Sequence, residues 1–370
     1  MILLLIGGIL FLLYAIVVIY YWQSWKDIPV YSGAKESSLT ISVIISARNE
    51  EENIGNLLQA LAQQTYPAHL FEVIVVNDHS EDNTAVIVNQ FPFARLISLQ
   101  EGKINSYKKK ALETGIKEAK HELVVATDAD CIPHKNWLQT LASFKEENDA
   151  VFIAAPVRMT ADHSLLQLFQ QMDFMILQTI TGAVVSKQLL TMCNGANVAY
   201  TKKAFEEVSG FAGISDIASG DDMLLMYKIA KQYPGKVYYI KSPGVIVSTA
   251  AEKTWTSFFN QRIRWASKAN RYNDKRLLPV LLLVYLFNLL FPVLLVAGFF
   301  NTRYWWELLV LFLAKTLVEF PLFSSGSRFF GISGNPFLFL LFQPLHILYT
   351  VISGLFGQFG TYQWKGRKVK

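Results

Sequence analysis

Two aspartates, Asp128 and Asp130, close the apolar run VVATDAD at residues 124–130, with one alanine between them. Carboxylates that close together repel, and both stay ionised only where a cation or solvent compensates. Hard oxygen donors of this kind suit Mg2+ or Mn2+, ions usually shared with substrate phosphates. Read alone, a D-x-D is also a plain polar turn ahead of a helix, so two readings stand. A second acidic pair, Asp221-Asp222, follows Gly220 and opens a helical pattern of Met223, Leu224, Met226, Tyr227 and Ala230. The helix dipole by itself stabilises acidic residues in a first turn. The functional alternative is a positioned carboxylate acting as general base. In QRIRW, residues 261–265, the residues Gln261, Arg264 and Trp265 stand at i, i+3 and i+4 and share one helical face. A guanidinium can clamp a pyrophosphate, and an indole can stack on the apolar face of a sugar. A basic amphipathic helix on anionic lipid competes with that reading, and both can hold on different faces. KKKALETG, residues 108–115, brings lysines able to offset diphosphate charge, at least one of them read as solvated helix face. MCNGANVAYTKKAF, residues 192–205, reads as a strand in which Gly195 serves either close approach of a ligand or a structural turn.

Such residues need a rigid frame. From residue 38 short β-rich apolar runs alternate with helical stretches. Strands are expected in SLTISVIISA, FEVIVVND, ARLISL and ELVVATDAD, and helices over about 50–64, 81–90 and 107–119 and from 135. That alternation predicts an α/β domain with a largely parallel sheet flanked by helices. In open sheets of this kind ligands gather beyond the carboxyl ends of the strands. ARNE (47–50), NDHS (77–80) and DAD (128–130) would then lie along one rim as a binding cleft. No G-x-G-x-x-G follows the first strand and no G-x-x-x-x-G-K-[ST] occurs, which argues against a dinucleotide oxidoreductase and a P-loop NTPase. Any phosphate bound here is met by a metal or by basic side chains. There is no internal repeat and no low-complexity linker.

The 370 residues are 52% apolar with a mean hydropathy of +0.27, and the excess is concentrated. Residues 1–22 carry no charge and end on Tyr20, Tyr21 and Trp22, enough to cross ~30 Å of hydrocarbon with an interfacial aromatic belt. A basic start and a small-residue cleavage site are both missing, so an uncleaved anchor is expected rather than a signal peptide. Three further apolar stretches follow residue 276. Two of them, 277–300 and 336–357, lack Asp, Glu, Lys and Arg, whereas 304–323 contains Glu307, Lys315 and Glu319. The net charge of +5 is clustered: Arg262, Arg264, Lys268, Arg271, Lys275 and Arg276 face only Asp274 within residues 260–276. Basic residues directly before a span argue for a cytoplasmic side, and Lys26 agrees. Three full crossings would put the basic tail outside, so one apolar segment is expected to be re-entrant or interfacial. The expected organisation is an anchor (1–25), a soluble domain (38–255), a basic interfacial helix (256–276), membrane segments (277–360) and a basic tail (361–370). Two cysteines, Cys131 and Cys193, imply neither a disulfide framework nor a Cys-rich zinc site and are consistent with a reducing compartment.

Taken together, ISVIISARNEEENI, VIVVNDHSEDNT, KKKAL, VVATDAD, CNGANVAYTKKAFEEVSGF, GDD and QRIRW occur in an order that resembles the membrane-embedded family 2 glycosyltransferases. That group includes cellulose, chitin and hyaluronan synthases and ceramide glucosyltransferases, and the resemblance covers roughly residues 40–265. It implies a GT-A fold and inverting, metal-dependent transfer from a nucleotide-diphosphate sugar, expected to be a UDP-sugar. By that resemblance Asp78 would hold the nucleoside, with Ala47 and Glu50 lining its pocket, and Lys108 would contribute to donor binding. Asp128 and Asp130 would bind the diphosphate and its Mg2+ or Mn2+, Asp222 would deprotonate the acceptor hydroxyl, and Arg264 would meet the pyrophosphate. Asp221, Gln261 and Trp265 would belong to the acceptor side and the closing element. Asn77 stands where many members have an aspartate, Asp221 replaces a common glutamate, and Cys193 lies one residue ahead of a cysteine that contacts acceptor in cellulose synthases. The expected location is a bacterial inner membrane, with the catalytic domain on the cytoplasmic side that the basic residues indicate.

The chemistry of the residues agrees with this. Breaking a sugar–phosphate bond needs negative charge stabilised on the departing diphosphate, a task for a metal and Arg264. The acceptor loses a proton as it attacks, hence one carboxylate base. Inversion is a single displacement and needs no second carboxylate nucleophile, unlike retaining glycosidases. Single transfer to a lipid or lipid carrier is the leading expectation, because the few spans after residue 276 leave no obvious room for a large channel. A processive polysaccharide synthase fits QRIRW equally, and a non-catalytic membrane scaffold is weighed against by intact DAD, GDD and QRIRW. The expected partners are the sugar donor, a lipid or polysaccharide acceptor and membrane lipids; no nucleic acid is implied.

Overall fold

A computed structural model describes residues 2–33, 35–100, 107–162, 164–190, 192–214, 220–267, 277–357, 362–364 and 367–369, with the side chains of 2, 221 and those beyond 357 excepted. Lys268, Arg271, Asp274, Lys275 and Arg276 of the basic run therefore lie outside the described residues, as do the side chains of the basic tail. The chain forms two compact units. One comprises Met1–Asp27, Ala161–Ala183 and Ala251–Tyr362, the other Ile28–Thr160, Val184–Ala250 and Gln363–Lys370.

The second unit is built on a seven-stranded sheet. In chain order its elements are β1 (Ile41–Ala47), α2 (Ile54–Ala62), β2 (Phe71–Asn77), α3 (Thr84–Val88), β3 (Ala94–Ser98), α4 (Tyr107–Glu118), β4 (Leu123–Asp128), β5 (Cys131–Pro133), α5 (Trp137–Asn148), β6 (Phe152–Ala154), β7 (Val157–Thr160), β8 (Val198–Thr201), α7 (Lys202–Glu207), α8 (Asp221–Gln232), β9 (Val237–Tyr239) and β10 (Val247–Ala250). The strand order is β3-β2-β1-β4-β8-β6-β9. β3, β2, β1 and β4 run parallel, and β8 is antiparallel to β4 and β6. β1 and β4 are buried at all but one residue each and β2 over its last five, as expected of central strands in a covered sheet. Helix α4 lies on β1 and β2 through Gly115, where an added Cβ would come within 2.6 Å of Ile44 Cγ2 and 3.1 Å of Val76 Cγ2. A small separate sheet, β5-β10-β7, begins immediately after Asp130.

Two expected helices are shorter than their sequence suggests. Helix α2 starts at Ile54 rather than Glu50, and α3 covers only Thr84–Val88. Side chains between these loops take over backbone groups that a helix would have used. Asn49 N donates to Ser80 Oγ, Glu81 N to Asn49 Oδ1, Glu51 N to Asp82 Oδ2 and Asn83 N to Glu51 Oε2, all at 2.9–3.0 Å.

The first unit is helical: α1 (Ile2–Asp27), α6 (Leu165–Ser186), α9 (Trp255–Ala266), α10 (Leu277–Gly298), α11 (Arg303–Phe330) and α12 (Pro336–Phe356). Four of these, α1, α10, α11 and α12, are long and apolar enough to cross a membrane. Their shared core holds Tyr14, Val18, Phe287, Phe291, Leu322 and Ile347. Helix α11 accommodates its charges by pairing them inside the bundle. Lys315 Nζ lies 2.6 Å from Glu319 and donates to Gln343 Oε1 at 2.7 Å, while Glu319 also accepts from Gln343 Nε2 at 2.6 Å and from Tyr14. Glu307 meets Arg303 at 3.0 Å. The backbone of the tail forms two short strands, β11 (Tyr362–Trp364) and β12 (Arg367–Val369).

Candidate active site

Three neighbouring strands deliver their carboxyl ends to one edge of the sheet. Ala47 of β1 pairs with Asn77 of β2, and Ser46 pairs with Asp128 of β4, so the expected rim exists. At its first corner Asp78 is almost fully buried; its amide donates to Ala47 O at 2.8 Å and its Oδ1 lies 3.1 Å from His79 Nδ1. Arg48 Nη1 donates to the carbonyls of Asp78 and His79, both at 2.9 Å. Glu50 is buried, with its amide on Thr84 Oγ1 at 2.8 Å and its Oε2 accepting from Asn53 Nδ2 at 2.8 Å. Asn77 has a local task, its Oδ1 accepting the Ser80 amide at 3.0 Å and closing the turn. Asn49 and His79 both have positive φ, 50° and 51°, so the two rim loops turn through left-handed residues that are not glycine.

At the end of β4, Asp128 receives the ammonium of Lys108 at 2.5 Å. Asp130 is exposed in the turn that carries the chain from the large sheet into β5, and its Oδ1 accepts a weak bond from Cys131 Sγ at 3.5 Å. Burial, then the charges of Asp130 and Asp128, push the Cys131 thiol well above its usual range, so it stays protonated. The three lysines of KKKALETG have three different surroundings. Lys108 faces Asp128, Lys109 is buried with Nζ on Ile214 O at 2.6 Å, and Lys110 lies 3.6 Å from Glu113 on the same helix.

Gly220, at φ +80°, turns the chain into α8 at Asp221. Both oxygens of Asp222 are held by backbone: Oδ2 accepts from Gly195 N and Oδ1 from Met223 N, each at 2.7 Å. A carboxylate oxygen has two lone pairs, so each retains one for a proton or a further donor. The Gly195 turn is fixed by Asn197, which the sequence reading passed over. Asn197 is fully buried, accepts Trp137 Nε1 at 2.9 Å and donates to Pro156 O at 2.8 Å and Val245 O at 2.7 Å. An asparagine inside a strand-like apolar segment is the one signal that could have marked it.

In the helical unit, QRIRW lies on α9 as expected, started by a Thr254–Ser257 capping box. Gln261 Nε2 donates to Glu252 Oε1 at 3.1 Å, while its Oε1 is buried without a hydrogen bond among the described residues. Trp265 lies against Phe174, ring centroids 5.9 Å apart, and Arg262 stands over its ring at 4.5 Å. Asp173, Arg262, His346 and Tyr349, which form a buried cluster in this unit, are additions to the sequence reading.

Residues 42–209 match the sequence model of the family described as Glycosyl transferase family 2. This segment is a family 2 glycosyltransferase domain. The chain is 26% identical over 261 residues to the probable glycosyltransferase YdaM of Bacillus subtilis, a match covering 68% of this chain and 60% of that protein. It is 25% identical over 231 residues to a poly-beta-1,6-N-acetyl-D-glucosamine synthase of Staphylococcus epidermidis, covering 61% and 53%. The matches thus span between half and two thirds of these relatives. Among solved structures, the mannosyltransferase PcManGT of Pyrobaculum calidifontis, captured with GDP-mannose and Mn2+, aligns over 95% of this chain and 99% of its own at a TM-score of 0.58 and 19% identity. The glycosyltransferase fold here is of the same GT-A kind.

A divalent ion can be tested against the residues present. No group of three His, Cys, Asp or Glu side chains assembles among the described residues, so the protein offers hard carboxylate oxygens from Asp128 and Asp130 and little else. That donor set fits Mg2+ or Mn2+ completed by diphosphate oxygens and water, and does not fit an all-protein cage or a soft metal. The Lys108 ammonium on Asp128 marks the same spot as one where a cation is held.

Proposed function

We propose that the chain is an inverting glycosyltransferase that moves a sugar from a nucleotide-diphosphate donor, a UDP-sugar, to a lipid or lipid carrier in the membrane. The observation that carries this reading is the Lys108–Asp128 contact at the end of β4, a strand end already arranged around positive charge inside a family 2 domain. In this reading Asp78, Ala47 and Glu50 receive the nucleoside, while Lys108, Asp128 and Asp130 face the diphosphate. A bound Mg2+ or Mn2+ would supply charge neutralisation for the departing diphosphate. Asp222 takes the proton of the acceptor hydroxyl as its oxygen attacks the anomeric carbon and the bond to phosphate breaks. Arg264 meets charge on the pyrophosphate, and Gln261, Trp265 and Asp221 serve the acceptor side. The buried Gln261 Oε1, which has no hydrogen bond among the described residues, supports a polar guest on that element, since such an atom is otherwise costly.

The basic residues around 260–276 and Lys26 support a catalytic domain on the cytoplasmic side of a bacterial inner membrane. A second reading, a processive polysaccharide synthase, is favoured by the similarity to a protein named as a poly-N-acetylglucosamine synthase. The test offers membranes containing the full chain radiolabelled UDP-N-acetylglucosamine, UDP-glucose and GDP-mannose, and separates products into lipid extract and polymer. Label in a lipid carrying one sugar is expected. Long polymer would establish the second reading instead, and transfer from none of the three would count against both.

A further inference from the structure

Arg262 is the second residue of QRIRW, and its side chain is only 2% exposed. Nη2 lies 2.9 Å from Oδ2 of Asp173 on α6, whose side chain is likewise 2% exposed. The other oxygen of Asp173 is occupied from α12: it accepts Tyr349 Oη at 2.8 Å and faces His346 Nδ1 at 3.1 Å. None of the three Arg262 nitrogens, nor Asp173 Oδ2, makes a hydrogen bond of regular geometry among the described residues, so the two side chains meet as a buried ion pair. The guanidinium is instead surrounded by rings, 4.5 Å from the centroid of Trp265, 5.1 Å from Phe258 and 5.5 Å from Tyr349. Trp265 also touches Phe174, the residue after Asp173.

We infer that Asp173 and Arg262 are positioning residues, an ion pair that ties α9 to α6 and α12 and thereby sets the orientation of the Trp265 indole. This rests on the reading that Trp265 serves the acceptor. A buried ion pair is a weak source of stability, because desolvating both charges offsets their attraction. Its value lies in direction: a planar guanidinium can meet one carboxylate and lie across an indole at once, which a lysine ammonium cannot. A displacement of about 1 Å at a reacting centre is enough to lower turnover by roughly 100-fold.

The test uses full-length protein in membranes, the three labelled sugar nucleotides with a total lipid extract, UDP titration for donor affinity, and donor hydrolysis without acceptor. Arg262→Lys should lower kcat for transfer at least 10-fold while UDP affinity and hydrolysis stay within about twofold. The paired change Asp173→Asn with Arg262→Met removes both charges together, so no charge is left buried alone; it should keep thermal stability and still lose transfer. Transfer at the parent rate in either protein overturns the inference, as does a parallel fall of transfer, hydrolysis and melting temperature in both, which marks a merely structural role. Trp265→Ala separates the two claims. If it lowers transfer while the Arg262 proteins do not, the inference alone fails; if it leaves transfer intact, the acceptor role of Trp265 fails and takes the inference with it.

Discussion

The amide of Gly195 donates to Oδ2 of Asp222 at 2.7 Å, joining the turn before β8 to the first turn of α8. The contact explains why a glycine and an acidic helix start, each ambiguous in sequence, belong together. The carboxylate is aimed by backbone on both sides, with Met223 N holding the other oxygen. On the proposed reading of Asp222 as the base, placement by two peptide groups leaves little side-chain freedom to lose on binding substrate, as positioning for proton transfer requires.

Replacing Lys108 by methionine removes the cation on Asp128. Both groups are partly exposed, so the pair is worth at most about 1 kcal/mol. UDP affinity at fixed Mn2+ should fall by up to about 5-fold, with part of the loss restored by more Mn2+. Calorimetry of UDP binding measures this, and unchanged affinity removes Lys108 from the donor site.

Gly115→Ala sets a gain against a loss. Alanine in the middle of a helix is favoured over glycine by about 1 kcal/mol. The new Cβ would stand 2.6 Å from the Cγ2 of Ile44, a β-branched side chain with little freedom to yield. Overpacking costs typically about 1–3 kcal/mol, so the net change should be destabilising by about 1 kcal/mol. Thermal melting decides the sign, and a raised melting temperature would mean that α4 shifts without penalty.

Asn197→Leu leaves the Val245 carbonyl and the Trp137 indole N–H without their partner, while the Pro156 carbonyl loses one of two donors and keeps the Val247 amide. Each unsatisfied group costs about 1–3 kcal/mol, so a loss of at least about 2 kcal/mol is expected. Trp137→Phe should cost less, because it orphans only the Asn197 oxygen. Denaturant titration ranks the two, and the reverse order would show that Asn197 is not the hub of this turn.

Burial alone would raise the Asp173 carboxyl, yet the Arg262 charge and the His346 and Tyr349 contacts outweigh it and hold the group below the usual carboxylate range. A depressed carboxyl contributes stability above its unfolded value, near pH 4, and loses it as pH falls further. The stability advantage of the parent over Asp173→Asn should therefore shrink below about pH 4. An advantage that widens on acidification contradicts the direction.

The rim of the sheet was legible because its strands are short, mostly apolar runs that give way abruptly to polar residues, at Arg48 after Ala47, at Asn77 and at Asp128. The four apolar helices were legible by length and charge, although α11 hides Lys315 and Glu319 by pairing them with each other and with Gln343 and Tyr14. Asp173 was not legible. It sits within an apolar helix, and its partners lie far along the chain, His346 being 173 residues away, so no local periodicity signals the pairing. The shortened starts of α2 and α3 escaped for a related reason, since the loop-to-loop bonds between residues 49–51 and 80–83 displace helical ones.

The central claim is that Asp222 carries the proton chemistry and the β4 aspartates do not. In Asp222→Asn the new amide oxygen can still accept Gly195 N, giving up only the second backbone bond, about 1 kcal/mol. The measurement is transfer from labelled sugar nucleotide to membrane lipid by Asp222→Asn, alongside UDP binding by the same protein. Transfer should fall at least about 100-fold with UDP affinity unchanged within twofold. Undiminished transfer would contradict the claim and leave the base elsewhere.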